Sequence, residues 1–139
     1  MFGKKDPAVE NLRQFCQRLD REKLIYTKDE EKKKVTLSYN GDNFKSLKFV
    51  FLFDDDGESV AIRVWSIEEF TAAQLSDACE FCNRMNNDYR WLTFYIDIDN
   101  ELTARVDAIL SQPSVADECL ELLRRTVRIV DKVCGELYN

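Results

Sequence analysis

A chain of 139 residues, 45% hydrophobic and 33% charged, is long enough to bury one core without metal or disulfide staples and too apolar to stay disordered. Its net charge of −6 weighs against nucleic acid as a partner, and the absence of histidine removes the commonest general base. The longest unbroken apolar run, Phe49 to Phe53, is far short of the roughly 20 residues of a membrane-spanning helix, so no membrane contact is expected.

Met1 to Pro7 carry two lysines with no apolar stretch behind them, so no secretory signal is expected and the cytoplasm is the expected location. A single domain, residues 1–139, is expected, with an ordered core over about residues 7–138. Asp6-Pro7 opens a helix, with Asp as the cap and Pro where its missing N–H costs nothing. Val9, Leu12, Phe15, Cys16 and Leu19 form one stripe at helical spacing, so this helix should run to about Arg21 and lie on a core.

Lys28 to Lys34 is a mixed-charge run that reads as a solvated loop, followed by a first strand with Val35, Leu37 and Tyr39 in alternation. Asn40 to Asn43 supplies a reversal, and the next strand places Leu47, Phe49, Phe51 and Phe53 on one face with Val50 and Leu52 on the other. After Asp54-Asp55-Asp56-Gly57 the returning strand sets Val60, Ile62 and Val64 against Ala61, Arg63 and Trp65. Both faces of this hairpin therefore carry large apolar groups.

Helical spacing resumes from about Thr71 to Asn87, with Leu75, Ala78, Cys79, Phe81, Cys82 and Met85 on one side. A second hairpin, Leu92 to Ile98 and Leu102 to Ala108, turns at Asp99-Asn100, and Gln112-Pro113-Ser114 precedes a last helix from Ser114 to Leu137. That helix spreads its apolar residues over about half its circumference, wider than the ~100° stripe one sheet needs, so part of the face is expected to meet a partner chain.

None of the candidate chemistry in this pattern is complete. Cys79-Glu-Phe-Cys82 has redox spacing but lies mid-helix, away from the helix N-terminus that stabilises a thiolate, and a zinc site would need two more ligands. The five cysteines read as reduced, four of them on apolar helix faces. Aligning a calcium loop on Gly57 puts Leu52 at the first ligand and Arg63 at the bidentate one, so the acidic run reads as a turn.

Asp54, Asp56, Asp97 and Asp99 could act as acid and base only if the two hairpin tips converged around a pocket. No catalytic residue, metal or cofactor is expected, and the chain is not expected to be an enzyme. Arg124, Arg125, Arg128 and Lys132 on the last helix are interleaved with acids and read as ordinary surface. Asn83 and Asn86 are the least explained residues. Asn86 points into the apolar stripe, where its amide either closes the helix against the backbone leading to Trp91 or, with Asn83, faces a ligand.

Three features together resemble the YbjN family of bacterial sensory transduction regulators: the aromatic strand and acidic turn at Phe49 to Gly57, Asn83-Arg-Met-Asn86, and the Asp97/Asp99 hairpin leading into a long final helix. The resemblance extends from about residue 8 onward. It implies a fold similar to type III secretion chaperones, an α+β domain with one antiparallel five-stranded sheet flanked by helices in the order α-β-β-β-α-β-β-α. It also implies a small acidic homodimer that binds client proteins, with no catalytic residues to carry over.

The expected function is accordingly a non-catalytic protein-interaction module, a homodimeric chaperone-like or regulatory adaptor with an unknown client. Val50, Leu52 and Trp65 on the sheet and Val127, Val130 and Val133 on the last helix are the expected contact residues. The alternative is a small-ligand sensor in which Asn83, Asn86 and nearby aromatics line a cleft between the central helix and the sheet.

Overall fold

A computed structural model describes residues 6–139; residues 1–5, including the lysine pair weighed above as a leader, lie outside the described residues. The first helix, α1 (Pro7–Arg21), is capped by Asp6, whose carboxylate accepts from the amides of Ala8 and Val9 at 3.0 and 3.3 Å. Leu12, Phe15, Cys16 and Leu19 are buried along one stripe, as the spacing requires. Val9 is only half-buried, and Ala8 and Asn11 complete the inner stripe instead. Asn11 is satisfied there because its amide donates to the Gly57 carbonyl at 2.8 Å and accepts from Gln112 at 2.7 Å.

The sheet has six strands, not the five expected. They are β1 (Thr27–Asp29), β2 (Lys34–Tyr39), β3 (Leu47–Phe53), β4 (Ser59–Glu69), β5 (Thr93–Ile96) and β6 (Glu101–Ile109), all antiparallel in the order β1-β2-β3-β4-β6-β5. The addition is β1, in the stretch whose charges read as a loop. A three-residue edge strand needs no apolar core residue of its own, so hydrophobic periodicity does not reveal it. Arg13 of α1 reaches Glu30 at 2.8 Å and holds the β1–β2 turn against the helix.

A 3-10 turn at Ala72–Gln74 leads into α2 (Leu75–Asp88), and α3 (Val115–Leu137) closes the fold. Buried residues of all three helices form one cluster with Val35, Leu37, Phe49, Phe51, Phe53, Val60, Ile62, Val64, Phe94, Leu102, Ala104 and Val106, which share one face of the sheet. Val50 and Leu52 stand outside that cluster. The helices therefore form one layer on one face of the sheet, with the aromatic ladder of β3 at the centre; Phe15 of α1 meets Phe51 at 4.5 Å between ring centroids.

The wide apolar arc of α3 is consumed inside this layer. Val130 and Val133, expected as contact residues, are fully buried in the chain's own core, and only Val127 of the three is half-buried. The expectation failed because α3 packs on two neighbours: besides the sheet it runs beside α1, where Arg18 pairs with Asp117. A helix with two partners needs an arc wider than one sheet demands.

Phe51→Ala should lower the free energy of unfolding by about 3–5 kcal/mol in urea titration, since it empties a fully buried aromatic site against Phe15. A loss under 1 kcal/mol would place the core elsewhere.

Candidate functional site

Strand alternation makes the second face of the sheet as orderly as the first. The register aligns Thr27, Thr36, Val50, Arg63, Arg105 and Thr93 in one row across all six strands, and Asp29, Lys34, Leu52, Ala61 and Asp107 in the next. Lys48 and Trp65 follow two residues along β3 and β4 on the same side. Trp65 remains 46% exposed, Leu52 is half-buried, and Val50 is buried. Helices hide none of these residues in the core cluster.

Trp65 follows the ordinary alternation of β4 and stands next to an irregularity in that strand. Pairing with β6 shifts between Val64 and Glu68, and Ser66, at φ +59°, takes the left-handed conformation at that bulge while its hydroxyl donates to Glu101. Bulges re-aim side chains beside functional surfaces. Thr27, Lys34, Thr36, Ser46, Leu47, Lys48, Val50, Trp65 and Ser66 bound a groove of about 540 Å³ here, with no carboxylate in its lining. The chain's other exposed tryptophan, Trp91, differs, because Arg125 and Arg90 sit over it at 5.2 and 5.9 Å from the ring centroid.

Of the residues expected at a contact surface, the structure puts Val50, Leu52 and Trp65 on one face of the sheet, only Val50 and Trp65 sharing the groove, and separates them from Val127, Val130 and Val133. Sequence reasoning missed the cations that join them: Lys34, Lys48 and Arg105. The signal was present for Lys48, two residues before Val50 on one strand, but Lys34 and Arg105 join only through cross-strand register.

Asn83 and Asn86 are exposed on α2, and a hollow of about 450 Å³ there is lined only by Asn83, Arg84, Asn86, Asn87 and Asp88, with no aromatic and no sheet residue. Asn86 closes a structural contact instead. Its Oδ1 accepts from the Phe94 amide at 2.7 Å, and its Nδ2 donates to the Phe94 carbonyl at 3.0 Å. β5 ends the sheet, so this side chain pairs with the edge backbone as a further strand would. The bond reaches Phe94 of β5, three residues beyond the Trp91 approach that was expected.

The acidic turns do not form a shared site. Ser59 pairs with Ile109 and Glu69 with Glu101, which puts the two hairpin tips at opposite ends of β4, about 30 Å apart at ~3.3 Å per residue. Each serves its own turn. Asp56 accepts from the Glu58 amide at 2.7 Å around Gly57, at φ +75°. Although burial works the other way, hydrogen bonds from the Thr103 hydroxyl and the Glu101 and Asp99 amides hold the Asp97 carboxyl below its ordinary range.

Among the described residues, no three Cys, Asp or Glu side chains gather as a metal site would require. Cys16, Cys82, Cys119 and Cys134 are buried free thiols, whereas Cys79, expected on the apolar side of α2, is exposed. Burial, with a smaller contribution from Cys79, pushes the Cys82 thiol up to about 11, the opposite of a redox pair's activation. Among the described residues, no helix is long and apolar enough to cross a membrane.

Residues 8–139 match the model of the YbjN family, whose description is "Putative bacterial sensory transduction regulator". The chain belongs to the YbjN family. Among solved structures it is similar to YbjN from E. coli, described as a putative transcription regulator, with a TM-score of 0.67 at 15% identity over 92% of this chain and 91% of that one. It is also similar to a chain from the crystal structure of the ExsC–ExsE complex, with a TM-score of 0.54 at 15% identity over 93% and 92%. At that identity the likeness shows the fold alone. No curated protein sequence matches the chain significantly.

Asn86→Ala should cost about 1–2 kcal/mol through the two lost bonds to Phe94 and should add concentration-dependent association by exposing the β5 edge. Urea unfolding and light scattering of the variant check both parts. Unchanged stability with unchanged mass would show that the edge needs no such cover.

Proposed function

We propose that the chain is a protein-interaction module, a chaperone-like or regulatory adaptor that works by binding and not by catalysis, with the uncovered face of β2, β3 and β4 as its contact surface. The observation that carries this reading is Trp65, half-exposed in a groove with Val50, on a face that all three helices leave open. A tryptophan over apolar neighbours within a polar rim is the arrangement in which a few side chains dominate a protein interface. The family's regulatory description supports the same reading, as does a fold neighbour that comes from a two-protein complex.

The expected homodimer loses its main support with the burial of Val130 and Val133. A twofold dimer through the sheet face would also bury Lys34, Lys48 and Arg105 of both copies, cations that have no carboxylate partner among the described residues. The face is therefore assigned to a different protein.

Site-specific photo-crosslinking in cells tests this. A photoreactive residue at Trp65 or Leu52 should yield a discrete adduct with another protein, one at exposed Lys132 of α3 should not, and Trp65→Ala should weaken binding of the isolated partner by about 30-fold, ~2 kcal/mol. An adduct at twice the chain's 16.3 kDa would give the face to a second copy. No adduct at Trp65, or equal yield at Lys132, would remove the reading.

A further inference from the structure

The open face carries four cations, two of which line its carboxylate-free groove. Lys34, Lys48, Arg63 and Arg105 all project from it, although the net charge is −6. Arg63 and Arg105 stand directly opposite each other on β4 and β6, a like-charge cross-strand pair that costs stability. Only Arg63 has a carboxylate partner, Asp107 at 2.8 Å, while Arg105 lies over the Tyr95 ring at 5.4 Å. Among the described residues Lys34, Lys48 and Arg105 form no ion pair.

The face's acids all lie outside the groove. Asp29 lies on the short edge strand, Glu101 takes the Ser66 hydroxyl with Glu69 opposite it, Asp97 is occupied by Thr103, and Asp107 is bound to Arg63. What remains is a carboxylate-free groove that holds Val50 and Trp65 between Lys34 and Lys48, with Arg105 in the Val50 row, and none of these three cations has a carboxylate partner among the described residues.

We infer that this face receives an acidic, extended segment of a partner protein, with an aromatic or aliphatic side chain laid on Trp65 and flanking carboxylates on Lys34, Lys48 and Arg105. The inference rests on the interaction surface proposed above and adds the chemistry of what it binds. Charge complementarity selects the segment, since potentials of opposite sign steer encounter and exclude wrong partners. A single-stranded nucleic acid fits less well, because its affinity comes from many neutralised phosphates and stacked bases, and this face offers three free cations and one open aromatic in an acidic chain.

Fluorescence anisotropy with three labelled probes decides it: a peptide alternating Asp or Glu with Leu or Phe, the same peptide with Lys for every acid, and single-stranded RNA of equal length. The acidic peptide should bind saturably and more weakly as salt rises. Lys34→Glu with Lys48→Glu should reduce its affinity by about tenfold or more and create binding of the lysine peptide, while Trp65→Ala weakens the acidic peptide alone. The charge-reversal changes lie on solvent-facing side chains, and unchanged circular dichroism verifies folding.

Absence of saturable binding by the acidic peptide, equal binding by the lysine peptide, or tighter binding by RNA would each overturn the inference. The two proposals separate cleanly. A crosslink at Trp65 that persists in the charge-reversed variant keeps the interaction surface and removes its acidic partner, whereas loss of every crosslink at Trp65 removes the surface itself.

Discussion

The two-residue period of β3 governs the rest of this molecule. It directs Phe49, Phe51 and Phe53 toward the helices and Val50 and Leu52 away from them, so one strand supplies both the centre of the core and the centre of an open surface. Phe15 against Phe51 fixes α1 over that ladder, and α3 then has two neighbours to fill its apolar arc. All three helices lie on one side, and among the described residues no helix covers the other. Trp65 stays half-exposed there, next to the bulge at Ser66.

Much of this fold could be read from residue spacing because most of its elements announce themselves by period. The α1 stripe, both hairpins and the amphipathic α2 and α3 follow from burial on one side, which the sequence encodes directly. The strand Thr27–Asp29 could not be read that way, since its backbone bonds to β2 through residues that any loop could contain. The outward placement of Val130 and Val133 was misjudged for a related reason: the width of an apolar arc does not say whether a second helix of the same chain will fill it.

The surface divides in the same manner. Val50, Leu52 and Trp65 were visible as a second apolar face within two strands, but their basic surroundings come from four strands brought into register. Asn86 shows the opposite case. A polar residue in an apolar stripe looks like a ligand site, and here it serves the sheet by pairing with the backbone of Phe94 where the edge would otherwise stand open. The acidic turns likewise belong to local geometry, each built around its own Asx-type contacts at its own end of the sheet.

Covalent oxidation of tryptophan in the free protein, read by mass spectrometry over a wide range of protein concentration, tests the open face most directly. An open face predicts that Trp65 is modified at a rate set by its half-exposed ring and that the rate does not change with concentration. A Trp65 protected at every concentration, or protected progressively as concentration rises, would mean that the chain or its copy already covers the face, and the surface would not be available to a different protein.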